Sequence, residues 1–181
     1  MKKPLAAMAL LLASALPVAA QAAVTITFDD KETISSSNDF KSQLNALGLT
    51  KYSADEVSLV LTENSIITFY LLGSESGFND SFATISTPNL IKSENTLFQN
   101  NFGLPVSIGA GAFNAGSLEG RLNFSSIGGK PATVGDDGFG IFLKKGQKSG
   151  DLLSTFYFGY DDQILGADND YDDLIIKAVV T

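Results

Sequence analysis

The chain has 181 residues, 44% of them hydrophobic, with twelve basic side chains against twenty acidic ones and a net charge of −8. That balance disfavours nucleic acid and anionic lipid as partners, because both would be repelled. Cysteine, histidine and tryptophan are absent, which excludes disulfides, Ser-His-Asp and Cys-His catalysis, and any zinc centre built on imidazole or thiolate.

The N-terminal segment reads as an export leader. Lys2 and Lys3 form a basic start, Leu5 to Leu16 an apolar run, Pro17 a break, and Ala20-Gln21-Ala22 a small-x-small cleavage pattern. The apolar run is too short for a membrane span. Cleavage after Ala22 would leave residues 23–181 as one domain with a net charge of −10, in the periplasm or outside the cell. No lipobox cysteine is present, and no second apolar run approaches membrane length, so no membrane contact is expected after cleavage.

From residue 24 onward the apolar positions recur every second residue, the mark of half-buried strands. Val24, Ile26 and Phe28 open the series. Phe40, Leu44 and Leu47 break it with helical spacing; Ser37 or Asn38 can cap that helix, and Gly48 can end it. Ser53-Ala54-Asp55-Glu56 has the form of a capping box, but the strand-like run after it argues against a second long helix. Val57, Leu59 and Leu61 follow, then Ile67, Phe69 and Leu71 after the turn Glu63-Asn64-Ser65. Leu118, Leu122 and Phe124 face one way, with Glu119, Arg121 and Asn123 opposite. Phe139, Ile141 and Leu143 come after the turn Asp136-Asp137-Gly138; Phe156, Phe158 and Tyr160 follow, and Leu174, Ile176, Ala178 and Val180 close the series. Eight to ten short strands with glycine turns, among them Gly73, Gly77 and Gly103, predict an all-β fold. The expected form is a two-sheet antiparallel β-sandwich, jelly-roll-like, with one short helix. Tyr157, Phe142 and Tyr70 fall on the alternate face, where they meet covering segments or, on an open face, could stack on sugar rings.

The chemistry concentrates near the end. Residues 161–173 read DDQILGADNDYDD, six aspartates between two apolar strands. Like charges packed this closely destabilise a fold unless a cation sits among them. Oxygen-only donors at short spacing suit calcium. Asp168, Asp170 and Asp172 alternate, so a loop can turn them toward one point, and Asp161, Asp162 and Asp173 would join them if the flanking strands pair. The pattern is not an EF-hand: counted from Asp168, position six is Asp173 rather than glycine and position twelve is Val179 rather than glutamate. The competing reading is a solvated turn neutralised by bulk ions or by Lys144, Lys145 and Lys148. Asp29-Asp30 and Asp136-Asp137 read as turn formers.

The segment YFGYDDQILGADNDYDDLIIKAV resembles the C-terminal signature of a family of bacterial exported β-domains of unknown function, found in PEP-CTERM-type exported proteins and large surface adhesins. ITFYLLGSESGFNDSF (67–82) and GDDGFGIFL (135–143) fit the same layout. The resemblance implies a secreted β-sandwich without established catalysis, with calcium carried by Asp161, Asp162, Asp168, Asp170, Asp172 and Asp173. The chain reaches Thr181 without a Pro-Glu-Pro motif or apolar anchor, so surface attachment by that route is not expected.

Three readings of function follow. The first is a non-enzymatic exported β-sandwich, structural or adhesive, whose terminal hairpin is locked by calcium. The second is a module recognising an extracellular glycan or matrix protein. The third is a small glycan hydrolase using Glu75 with Asp80 or Glu119, which needs two carboxylates some ~5–10 Å apart across an open cleft.

Overall fold

A computed structural model describes residues 21–75, 79–85, 91–92, 105–162 and 169–181. Residues 1–20 of the expected leader, Gly77, Gly103 and Asp168 lie outside the described residues.

Alternating apolar residues form strands nearly throughout. In order these are β1 (Val24–Thr27), β2 (Glu32–Thr33), β3 (Leu49–Ser53), β4 (Ser58–Leu61), β5 (Ser65–Gly73), β6 (Asn79–Thr84), β7 (Ile91–Lys92) and β8 (Val106–Phe113). They continue as β9 (Gly116–Ser117), β10 (Leu122–Ile127), β11 (Ala132–Thr133), β12 (Phe139–Lys144), β13 (Asp151–Leu153), β14 (Thr155–Tyr160) and β15 (Leu174–Val180). Helix α1 (Lys41–Ala46) lies between β2 and β3. The fifteen strands among the described residues exceed the eight to ten expected. Several are only two residues long, too short to leave a period in the sequence.

All the pairings are antiparallel and the sheets do not close into a barrel, giving the expected all-β sandwich. One sheet has seven strands in the order β2-β3-β12-β14-β15-β5-β8. Two four-stranded sheets, β13-β1-β4-β9 and β11-β10-β6-β7, complete the fold. A single core draws inward side chains from all three sheets, including Ile26, Leu59, Phe69, Phe82, Phe124, Ile141, Phe158 and Ile176. Rings knit it together. Phe124 of β10 stacks on Tyr160 of β14 at 4.8 Å and 6°, and Phe82 of β6 meets Phe158 at 5.6 Å. Phe158 also touches Phe124, Phe139 and Phe156. Phe158→Ala should therefore cost about 3–5 kcal/mol, the range for deleting a fully buried ring, measured as the loss of unfolding free energy in urea.

The outer face of the seven-stranded sheet carries a second cluster, Ile34, Phe40, Leu44, Leu49, Tyr52, Leu72, Phe142, Tyr171 and Ile175. Helix α1 belongs to this cover. Its start differs from expectation: Phe40 takes the N-cap position with no side-chain cap. Asn38 instead accepts the Phe40 N–H at 3.0 Å and donates through Nδ2 to the Asp170 carbonyl at 2.7 Å. Gly48, at φ +79°, ends the helix as expected. Leu47 is 41% exposed, and Leu49, just past the turn, takes the buried place. Ser53 ends β3 and Asp55-Glu56 form a turn, so no helix starts there.

The cover fits because the sheet beneath it is notched. Gly140 and Gly159 are cross-strand partners, Gly159 pairs with Ile175, and Ile175 with Gly73. A Cβ on Gly140 would meet the Tyr171 ring at 2.7 Å, and one on Gly73 the Phe40 ring at 2.9 Å. Two aromatic rings thus sit in glycine gaps in one register row.

Candidate metal centre

The hairpin β14–β15 pairs Tyr160 with Leu174, so Asp161, Asp162 and Asp173 lie just beyond its last rung. The Asp162 N–H donates to Asp173 Oδ2 at 2.6 Å, joining the two limbs. The Lys130 N–H donates to the Asp162 carbonyl at 3.1 Å, holding the same segment to the loop after β10.

Asp80 joins from β6. It precedes the core residue Phe82 by two positions, so strand alternation turns it to the inner face, where it is 1% exposed. One carboxylate oxygen from each of Asp80, Asp162 and Asp173 lies within 4.8 Å of the others. Asp162 is also buried, and Asp173 half-buried. Ser126 of β10, paired with Asp80, places its hydroxyl 3.5 Å from Asp162 Oδ2. Burial, with the charges of Asp162, Asp80 and Asp161, pushes the Asp173 carboxyl up to about 8 against the pull of the Asp162 N–H. The Tyr160 hydroxyl beside the trio donates to the Lys130 carbonyl; burial and the charges of Asp80, Asp162 and Asp173 push its ionisation far up, so it stays a neutral donor.

Asp170 and Asp172 do not join this group. Asn169 and Tyr171 have φ of +52° and +57°, and the Tyr171 ring seats in the Gly140–Gly159 notch with its hydroxyl donating to the Asp137 carbonyl at 2.9 Å. That anchor carries Asp170 and Asp172 to the outer cover, where Asp172 Oδ2 accepts the Asp39 N–H at 2.6 Å. Burial pushes the Asp172 carboxyl up to about 9, with the charges of Asp170 and Glu75 adding and the Asp39 N–H opposing. Asp161 faces a third way. It lines an open cleft of about 670 Å³ with Glu32, Tyr52, Asp55, Asp137 and Tyr171. There burial, the bond to Glu32 and the charges of Glu32, Asp55 and Asp161 push Tyr52 up to about 12.

The six expected ligands are therefore distributed: Asp162 and Asp173 inside, Asp170 and Asp172 outside, Asp161 on the cleft, and Asp168 outside the described residues. Asp80 is the member that expectation placed elsewhere, in a hydrolase pair with Glu75. Its visible signal was an aspartate two residues from a phenylalanine on a strand's apolar face. Glu75 is exposed and acts on Asp172, and Glu119 is exposed on the turn after β9, so neither shares the Asp80 centre. Asp136 forms a turn, its Oδ2 accepting the Thr133 N–H at 2.9 Å, and Asp29 and Asp30 are exposed.

Three carboxylates and a serine hydroxyl are hard oxygen donors. They fit calcium or magnesium and offer nothing to a thiophilic metal. Two of the lysines in the competing reading are poorly placed to neutralise the trio. Lys144 and Lys145 sit at the far end of β12 from Phe139, about 17 Å along the strand, twice the screening length of about 8 Å at physiological salt. Among known proteins, no family model, curated protein or solved structure matches this chain. The likeness of the last quarter to exported β-domains thus remains an expectation.

Proposed function

We propose that the chain is an exported, non-enzymatic β-sandwich of structural or adhesive type that binds calcium through Asp80, Asp162 and Asp173. The observation that carries this reading is the convergence of three carboxylate oxygens within 4.8 Å in a largely buried place. Bound calcium would supply the positive charge that offsets their repulsion. Asp162 and Asp173 hold the two limbs of the terminal hairpin, and Asp80 belongs to a strand of a different sheet. Ligation by all three would tie hairpin to sheet, so the lock spans the sandwich and not the hairpin alone. Export rests on the leader pattern of residues 1–22. No helix among the described residues is long and apolar enough to cross a membrane. The absence of histidine and cysteine favours a non-catalytic role.

The test is a melting curve of the purified protein with calcium and with EDTA. A ligand at a hundredfold its Kd adds about 2.7 kcal/mol, or roughly 5–10 °C for a domain of this size. Asp80→Asn and Asp173→Asn should abolish the shift, whereas Asp170→Asn should retain most of it. Superimposed curves in calcium and EDTA would overturn the reading. A shift lost in Asp170→Asn but kept in Asp80→Asn would assign the ion to the outer pair.

A further inference from the structure

Among the described residues, the cover on the outer face of the seven-stranded sheet packs on one half of it. Two register rows run across the other half. The first is Ser107, Tyr70, Lys177, Tyr157 across β8, β5, β15 and β14. The second is Ala110, Thr68, Val179, Thr155 across the same strands. Pleating puts both rows opposite Phe69, Phe158 and Ala178, which are in the core. Ser107 and Ala110 are exposed, and the other six are half-buried.

Lys177 is the one charged residue in these rows. Its ammonium lies 5.4 Å from the centre of the Tyr70 ring. Tyr157, on the other side, leans on the outer cluster and is braced by it. Strands about 4.8 Å apart set the two tyrosines roughly 10 Å from each other, close to the length of a disaccharide unit. Their row neighbours besides Lys177 are serine, alanine, threonine and valine, side chains smaller than the rings. The arrangement suits an extended chain with alternating apolar faces and polar edges, not a compact ligand. Sugar rings have that character: their C–H faces pack on aromatic rings, and their edges take hydrogen bonds. An ammonium between the tyrosines complements a carboxylate on the sugar at contact range, where the long-range repulsion from the chain's net charge of −8 is screened at physiological salt. The acidic end of the molecule does not cancel it. Asp173 and Lys177 are four residues apart on one strand, about 13 Å, beyond the screening length of about 8 Å.

We propose that Tyr70, Lys177 and Tyr157 form a binding platform for a uronate-bearing polysaccharide, with the tyrosines packing on sugar faces and Lys177 pairing with a uronate carboxylate. The platform is independent of the metal centre.

The test is affinity electrophoresis of the intact protein through gels containing polygalacturonate, alginate or a neutral β-glucan. EDTA and physiological salt exclude cation bridging. Both uronate polymers should retard the protein more than the neutral glucan. Tyr70→Ala and Tyr157→Ala should each weaken binding about tenfold or more, as buried aromatic contacts do. Lys177→Gln should erase the preference for uronate while leaving the melting temperature unchanged, and Asp173→Asn should bind normally. Absence of retardation, equal retardation by the neutral glucan, or unaltered binding by the folded Lys177→Gln protein would each overturn the proposal.

Discussion

Gly159→Ala is expected to destabilise the protein by about 3 kcal/mol or more, at the upper end of the range for overpacking. In an ordinary strand position the sign would be opposite, since alanine reduces the freedom of the unfolded chain. Here the added Cβ would lie 2.2 Å from the Tyr171 carbonyl oxygen and 2.8 Å from the Phe142 ring. Backbone cannot swing aside as a side chain can, so the segment 169–173 must lift off the sheet. Gly140→Ala differs in kind, because its nearest atoms all belong to the Tyr171 ring. In a Tyr171→Ala background the cost of Gly140→Ala should largely vanish, and most of the cost of Gly159→Ala should remain. Urea titrations of the two double-mutant cycles measure this. Additive energies in both cycles would contradict the notch.

Without metal, stability should fall as the pH rises from about 4 toward 8 or 9. Asp173 and Asp172 have folded-state values near 8 and 9, against about 3.9 in an unfolded chain. Both groups are raised, so their contribution is complete below the unfolded value. It is lost while the unfolded chain ionises and the folded one holds its protons, and the loss ends once the pH passes the folded values. Each pH unit in that window costs up to about 1.4 kcal/mol for each such group. Calcium should act against this trend. It needs the ionised Asp173, so its binding releases protons and its affinity rises with pH. Melting temperatures at pH 5, 6, 7 and 8, in EDTA and in calcium, should therefore diverge toward the alkaline end. A metal-free protein that gains stability over this range would refute the buried, crowded state of these carboxylates.

The strands were readable in the sequence because alternation is local, and Ile67, Phe69 and Leu71 or Phe156, Phe158 and Tyr160 declare their face without help from distant residues. The pairing of the last two long strands was readable too, since an acidic turn between apolar runs suggests a hairpin. Division of the aspartates among three surroundings was not. It depends on the left-handed backbone at Asn169 and Tyr171 and on a ring seated over Gly140 and Gly159. That notch joins residues distant in the chain and leaves no periodic trace. Asp80 was hidden for a related reason. Its partners Asp162 and Asp173 are more than eighty positions away, so only the pairing of β6 with β10 and the packing of sheets bring them together. Leu47 and Leu49 show the same limit at short range: the helical period ends at Gly48, and the chain beyond it supplies the buried leucine.

β15 lies between β14 and β5 in the seven-stranded sheet, although both of those neighbours precede it in the chain. A nascent polypeptide not yet synthesised through residue 174 must leave the facing edges of both neighbours open. Open edges recruit foreign strands. During translation this protein should therefore depend on a holding chaperone until its central strand emerges, and premature termination before that point should yield aggregates rather than a smaller soluble fold.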